Sequence, residues 1–107
     1  MSLLNQVTVV GNMSARPSIT TFDSGTMVAR FSVQVDPGQR VADDARNTQY
    51  VRAFAWGNIA RFVQSYLDEG SRMAVMGKLV SRTYVNKEGK PQRVTEVEVR
   101  RVVKLPA

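Results

Sequence analysis

Polar and apolar residues alternate along much of this chain with a period of two. In the stretch Met27–Val35, apolar side chains fall at alternate positions and polar ones fill most of the positions between them. Successive side chains of a strand point to opposite faces, so this pattern predicts a strand with one buried face. The β-branched run at residues 7–10 predicts a first strand, and residues 19–22 predict a short one before a turn.

A different alternation marks the stretch Tyr50–Trp56. Every other position there carries a ring or an arginine: Tyr50, Arg52, Phe54 and Trp56. The residues between them are small or apolar, so a strand would place three rings and a guanidinium on one face. Rings alone would indicate core, but an arginine among them favours a surface that stacks on flat, negatively charged ligands. Nucleic-acid bases on a phosphate backbone are ligands of this kind.

One helix is predicted directly after this strand. Apolar residues recur there at helical spacing, namely Ile59, Phe62, Val63, Tyr66 and Leu67. We interpret Phe62 and Tyr66 as core residues of this stripe. Asn58 is a suitable N-cap, and Gly70 is a suitable residue just past the helix end.

The rest of the chain completes a recognisable order of elements. The strand pattern resumes at residues 72–84, turns at residues 86–90 and returns through residues 93–103. The polar residues 39–48 show no periodicity and are expected to form an exposed, mobile hairpin loop. Five main strands with one short helix between the third and fourth is the order of an OB-fold barrel, which binds oligonucleotides across one face. We therefore predict an all-β fold, a single five-stranded OB-fold domain over residues 1–107.

The composition argues against several classes of function. The chain has 107 residues, enough for one core, and contains neither cysteine nor histidine. That excludes disulfides, thiolate metal sites, the usual zinc ligand and the common nucleophile–base pairs. The nine acidic residues are scattered, and we interpret Glu96 and Glu98 as part of a solvated strand face. We expect no enzyme activity, no metal and no cofactor.

Charge is distributed unevenly along the chain. The formal net charge is +6, yet residues 1–70 carry six basic and six acidic side chains. The whole excess therefore lies in residues 71–107, which carry nine basic and three acidic side chains. A local excess of this kind in a small domain indicates a polyanionic partner.

Four strings of residues point to one family. They are Val-Thr-Val-Val-Gly-Asn at 7–12, Phe-Ala-Trp-Gly-Asn-Ile-Ala at 54–60, Gly-Lys-Leu-Val-Ser-Arg-Thr-Tyr at 77–84 and Thr-Glu-Val-Glu-Val at 95–99. Together with residues 16–17, 24–33 and 66–71, they resemble the bacterial-type single-stranded DNA-binding protein family along nearly the whole chain. The resemblance implies an OB-fold that binds single-stranded DNA without sequence specificity.

The resemblance also implies roles for particular residues. Tyr50, Trp56 and Tyr84 match family positions where rings contact DNA, whereas Phe54 is left open between core and interface. Arg52 and Arg82 are the candidate phosphate clamps. Weaker DNA-binding candidates are spread over other segments: Arg30, Arg72, Lys78, Lys87 and Arg93.

The chain departs from the family pattern at three places. Residues 36–41 contain no ring, and Asn58 and Glu69 stand where many members carry lysine. Fewer rings and cations predict weaker binding. The chain also stops soon after the last predicted strand, where many members continue into a linker and an acidic tip. The expectation is therefore a truncated or tailless form with no acidic tail to recruit replication proteins.

The resemblance implies roles in DNA replication, recombination and repair, with single-stranded DNA as partner. It implies a homotetramer, with a dimer as the alternative. No run is apolar enough to span a bilayer and no secretory signal is visible, so we expect a cytoplasmic, nucleoid-associated protein or an organellar one. Two other functions stay open: a primosome-type replication-restart protein, and an OB domain that serves as an interaction scaffold with little DNA binding.

Overall fold

The structure is a computed structural model that describes residues 4–36 and 48–106. The predicted exposed loop at residues 39–48 falls outside this part of the chain, except for Thr48.

Strands dominate the described residues. In chain order the elements are β1 (Val7–Met13), β2 (Ser18–Thr21), β3 (Met27–Val35), β4 (Tyr50–Trp56), α1 (Gly57–Tyr66), β5 (Arg72–Val85) and β6 (Pro91–Lys104).

Five of these strands close into a ring. Their neighbours run β1-β5-β6-β4-β3, and β3 pairs again with β1 to close the barrel. All of these pairings are antiparallel except β4 with β6, which is parallel. β2 is an additional short strand on the free edge of β3. The predicted order, with the helix between the third and fourth barrel strands, is confirmed.

Two glycines mark points where strands approach closely. A Cβ on Gly77 of β5 would overlap the backbone carbonyl of Glu98 on β6, and one on Gly11 of β1 would overlap that of Gln34 on β3. The β5–β6 register also shifts between Met76 and Gly77. These glycines let the barrel strands bend and cross, because any side chain there would push two backbones apart.

The core fills the barrel with apolar residues from every barrel strand and the helix. Its members include Met13, Val33, Ala55, Val63, Met73, Val75 and Val97, none of them more than 1% exposed. Helix α1 closes one side through Ala60 and Val63. Phe62 is only half-buried, and Tyr66 is 60% exposed, so the interpretation of Tyr66 as a core residue is wrong.

The ends of α1 differ from the prediction. Trp56, the last residue of β4, is also the N-cap, with no side-chain capping bond, and Gly57 at φ 63° makes the sharp change of direction. Asn58 is therefore the second helical residue and not the cap. The helix ends at Tyr66 and its C-cap is Leu67, so Gly70 lies further on, in the following turn.

Candidate nucleic-acid interface

The pairing of β3 with β4 assembles an exposed face around the rings. Tyr50 lies opposite Gln34, Arg52 opposite Ser32, and Phe54 opposite Arg30. Directly opposed residues of an antiparallel pair share a face, so these six side chains form one surface. We call it, together with Trp56, the β3–β4 face. Its other side, which carries Ala53 and Ala55, is buried in the core.

The rings of this face are accessible to different degrees. Tyr50 is 59% exposed and Trp56 is 43% exposed. Phe54 is half-buried, and the guanidinium carbon of Arg30 lies 5.3 Å from its ring centroid. This distance is within the range of a cation–π contact. Phe54 therefore belongs to the surface layer, where it supports an arginine.

Phe22 adds a ring that lies beside Trp56. The two centroids are 6.1 Å apart and the ring planes are inclined by 25°, an offset stacked arrangement. Phe22 itself is 47% exposed. It comes directly after β2, the short strand that pairs with β3 and so brings this ring to the edge of the β3–β4 face.

Four arginines surround a shallow depression of about 320 Å³ next to these rings. Its basic lining residues are Arg16, Arg30, Arg52 and Arg82, and its single acidic one is Glu96. We call this the arginine concavity. It joins side chains from the β1–β2 connection, β3, β4, β5 and β6, so it forms only when the barrel closes.

Among the described residues, Glu96 is the charged residue that is buried, with 4% of its surface exposed. Its Oε1 accepts a hydrogen bond from Arg82 Nε at 3.0 Å, and its Oε2 lies 3.4 Å from Arg82 Nη2. Arg30 Nη1 approaches Oε1 at 3.6 Å. The interpretation of Glu96 as part of a solvated strand face is therefore wrong, because two guanidiniums cover the carboxylate.

The same contacts orient Arg82 toward Tyr84. The Arg82 guanidinium carbon lies 5.8 Å from the Tyr84 centroid. Its hydrogen bonds to Glu96 raise the pKa of Arg82 further above its usual value, so the cation stays charged at any physiological pH. Tyr84 is 38% exposed. Arg82 thus connects the outer part of the β5–β6 hairpin to the arginine concavity.

Other predicted DNA contacts are placed elsewhere. Arg72 makes a two-bond ion pair with Asp36, with distances of 3.1 and 2.6 Å, and each side chain of the pair is about two-thirds covered. That hydrogen-bonded pair lowers the pKa of Asp36. Arg93 pairs with Thr83, so it lies on the opposite face of the hairpin from Arg82 and Tyr84. The structure does not bring Arg72 or Arg93 together with the arginine concavity.

The remaining two cations extend the surface at its edges. Lys78 lies directly across from Glu98, and their charged atoms are 3.9 Å apart. Glu98 in turn is the β6 neighbour of Phe54, so Lys78 continues the same row of side chains. Lys87 sits in the exposed turn between β5 and β6, at the tip of the hairpin.

The family to which the sequence is similar agrees with this geometry. The sequence profile described as "Single-strand binding protein family" matches residues 4–105. The chain belongs to this family. The family's OB-fold agrees with the closed five-stranded barrel described above.

Curated relatives in the family show moderate identity. The single-stranded DNA-binding protein of Paenarthrobacter aurescens is 36% identical over 99 residues, which cover 87% of this chain and 57% of that protein. Single-stranded DNA-binding protein 1 of Staphylococcus aureus strain MSSA476 is 35% identical over 95 residues, 89% of this chain and 61% of that protein. The chain thus spans about three fifths of the length of these relatives.

The sequence did not predict a place in this surface for three residues. The sequence predicts Phe22 only as the end of a short strand, although a ring directly before a turn is a usable signal of exposure. Arg16 and Glu96 carried no such signal, because their partners come from distant segments. Among the residues that the structure describes, no cluster could hold a metal ion and no helix is long and apolar enough to cross a membrane.

Proposed function

We propose that this domain binds single-stranded DNA with little sequence preference. The observation that carries the proposal is the interleaving of exposed rings and guanidiniums on the β3–β4 face, which continues into the arginine concavity. Bases would stack on Tyr50, Trp56 and Tyr84, and phosphates would approach the arginines. The names of the relatives, single-stranded DNA-binding proteins from two bacterial species, support the same function.

The chemistry of this surface suits binding without base readout. Every base has a π-face, so stacking on a ring tolerates any sequence and is worth about 1–3 kcal/mol per base. Guanidiniums attract phosphates of any nucleotide, and each phosphate neutralised on a single strand contributes about −0.7 to the slope of log K against log salt. We therefore expect affinity that depends on strand length and salt far more than on sequence.

Titration with oligo(dT) tests this function directly. Trp56 is the single tryptophan of the chain, so a base stacking on it should quench the intrinsic tryptophan fluorescence. The titration is repeated at several salt concentrations. The proposal is wrong if oligo(dT) causes no quenching and binding measured by anisotropy of a labelled strand is absent at low salt.

A pair of variants separates stacking from packing. Trp56→Ala removes an exposed ring of the β3–β4 face, whereas Phe62→Ala removes a half-buried ring of α1. After circular dichroism confirms that both are folded, Trp56→Ala should weaken oligo(dT) binding the more, as measured by anisotropy. Equal losses would assign Trp56 to packing.

Assembly into a homo-oligomer is part of the proposal, with a tetramer favoured over a dimer. The edge of β1 supports it. β5 pairs with β1 along residues 7–12, whereas β3 reaches only residues 11–13. Within the described chain, the first residues of β1 thus have a strand on one side, and an unpaired edge favours pairing with another copy. Light scattering that gives a monomer at micromolar concentration would contradict this.

The cellular role follows from the proposed binding. A protein that covers single strands would act in DNA replication, recombination and repair, at the nucleoid in the cytoplasm of a bacterium. A folded protein that binds no oligo(dT) but captures replication proteins would instead be an interaction scaffold.

A further inference from the structure

Glu96 connects parts of the surface that lie on different strands. Its carboxylate contacts Arg82, whose guanidinium lies against Tyr84, and Arg30, whose guanidinium lies against Phe54. A continuous series of contacts therefore runs from the hairpin ring to a β4 ring, with one buried anion at its centre. The proposed stacking and phosphate contacts give this anion no role.

Glu96 affects both the charge and the hydrogen-bond donors of the Arg82 guanidinium. Two of the five N–H groups of the guanidinium point to the carboxylate, which leaves the other three for a ligand. Arg82 and Arg30 are 43% and 45% exposed, so both can still be reached from solution. Glu96 thus fixes the orientation of both cations while it cancels one of their two charges.

Arg52 lines the same concavity but has different surroundings. It is exposed, and among the described residues it makes no ion pair, so its full charge faces solution. The concavity therefore holds Arg52, with no ion pair among the described residues, beside Arg82 and Arg30 on Glu96. Its fourth arginine, Arg16, pairs with Asp68 at 3.5 Å.

We propose that Glu96 is a positioning residue that also sets ligand specificity: it holds Arg82 and Arg30 against their rings and limits the net charge of the concavity. Binding then depends on strands that offer bases to stack, and polyanions without bases bind poorly. This inference rests on the proposed function, since it assumes that the surface binds single-stranded DNA.

The test compares two ligands with the same phosphates. One is oligo(dT) and the other is an abasic oligonucleotide of the same length. The variant is Glu96→Gln, which keeps the size of the side chain and removes its charge. The control is Glu69→Gln, which makes the same charge change at an exposed position in the turn after α1, away from the arginine concavity.

Glu96→Gln should release one further cation for phosphate binding. The salt slope should steepen by about 0.7 for both ligands, which corresponds to about a fivefold gain for the abasic strand per tenfold drop in salt. The gain for oligo(dT) should be smaller, because the cations beside its rings lose their fixed orientation. The preference for bases over bare phosphates, given as the ratio of the two Kd values, should therefore fall.

A residue that only supported the fold would give a different result. Its loss would lower the affinity for both ligands by the same factor and leave the slope of log K against log salt unchanged. An unchanged slope in folded Glu96→Gln, or a slope change equal to that of Glu69→Gln, overturns the proposal. If the wild-type protein fails to bind oligo(dT) at all, the proposed function itself is wrong.

A measurement on the wild-type protein decides the case if Glu96→Gln does not fold. The Nε–H signals of Arg82 and Arg52 are followed by ¹H–¹⁵N NMR as oligo(dT) is added, with Arg82→Lys and Arg52→Lys used to assign them. In the free protein the Arg82 Nε–H should exchange with water more slowly than the Arg52 Nε–H, and it should stay protected when oligo(dT) binds, because its bond to Glu96 persists. Equal exchange at Arg82 and Arg52 in the free protein, or loss of the Arg82 protection when oligo(dT) binds, would overturn the proposal.

Discussion

Phe22 stacks on Trp56 with 6.1 Å between the ring centroids, and so it covers part of one side of the indole. Both rings remain nearly half exposed. The indole is thus partly covered by Phe22, while 43% of the surface of Trp56 stays open to solution and within reach of a ligand.

Replacing Phe22 with leucine should affect both the indole and the ligand. Without the supporting ring, the fluorescence emission of Trp56 should shift to longer wavelength as water reaches it. Affinity for oligo(dT) should fall roughly tenfold, at the lower end of the 1–3 kcal/mol range for a stacking ring. Phe62→Leu is the control, since it removes a ring from the Phe62–Tyr66 pair on α1. Equal emission and affinity in Phe22→Leu and wild type would contradict the prediction.

Two tyrosines of equal exposure provide a matched test of the face. Tyr50 on the β3–β4 face is 59% exposed, and Tyr66 at the end of α1 is 60% exposed. Tyr50→Leu should weaken oligo(dT) binding by about 1–3 kcal/mol, because a base loses its ring, and Tyr66→Leu should leave it unchanged. Fluorescence anisotropy gives both affinities. Similar effects of the two changes would mean that the ligand does not use this face.

Arg52 should contribute measurably to the salt dependence. Arg52→Gln removes the uncompensated charge of the concavity, so the slope of log K against log salt should become shallower by about 0.7. Arg61→Gln removes the same charge from an exposed position on α1 and corrects for the change in net charge. Titrations at four or more salt concentrations give the slopes. If both variants change the slope alike, Arg52 is not a specific phosphate contact.

Gly77 should be essential to barrel closure. A methyl group at this position would meet the backbone of β6, which cannot swing away as a side chain can. Gly77→Ala should therefore destabilise the fold by about 1–3 kcal/mol. Thermal unfolding followed by circular dichroism measures the loss, with Ser81→Ala at an exposed position of the same strand as control. An unchanged Tm would show that the strands can separate here without cost.

The ion pair between Asp36 and Arg72 should make stability depend on pH. Its hydrogen bonds lower the pKa of Asp36 in the folded state, so the pair stabilises the fold above the unfolded pKa of about 3.9. That stabilisation is lost as pH falls through the lower, folded pKa. The Tm difference between wild type and Asp36→Asn should be present at pH 7 and shrink below pH 4. Asp23→Asn, at an exposed turn, is the control, and a constant difference across this range would contradict the prediction.

The sequence predicted the elements whose pattern is local. The period of two in β3 and β4 depends only on neighbouring residues, and so it identified the face that carries Tyr50, Arg52 and Trp56. The apolar stripe predicted the helix for the same reason, but the predicted first residue of the helix was wrong. Asn58 looked like a cap only on the assumption that a loop separates strand and helix, whereas Trp56 ends one and begins the other.

The parts that sequence analysis missed depend on contacts between distant segments. Glu96 alternates with Val97 in a way typical of a half-exposed strand, and its burial results from guanidiniums supplied by β3 and β5. Tyr66 fits the apolar stripe of α1, but Val63 and Leu67 take the buried side of the helix end and Tyr66 lies outside, against the ring of the half-buried Phe62. Neither position carries a local signal that would reveal its surroundings.

The direct junction of β4 and α1 at Trp56 has a mechanical consequence. The backbone of this residue is held by strand pairing on one side and by a helix anchored in the core on the other, so the indole has no loop on which to swing. A ligand would therefore have to adapt its own shape to a ring that can turn only about its side-chain bonds, with Phe22 already lying against it. A flexible single strand can turn its bases out to do so, whereas a stacked double helix cannot, and selection against duplex DNA would then arise from stiffness alone.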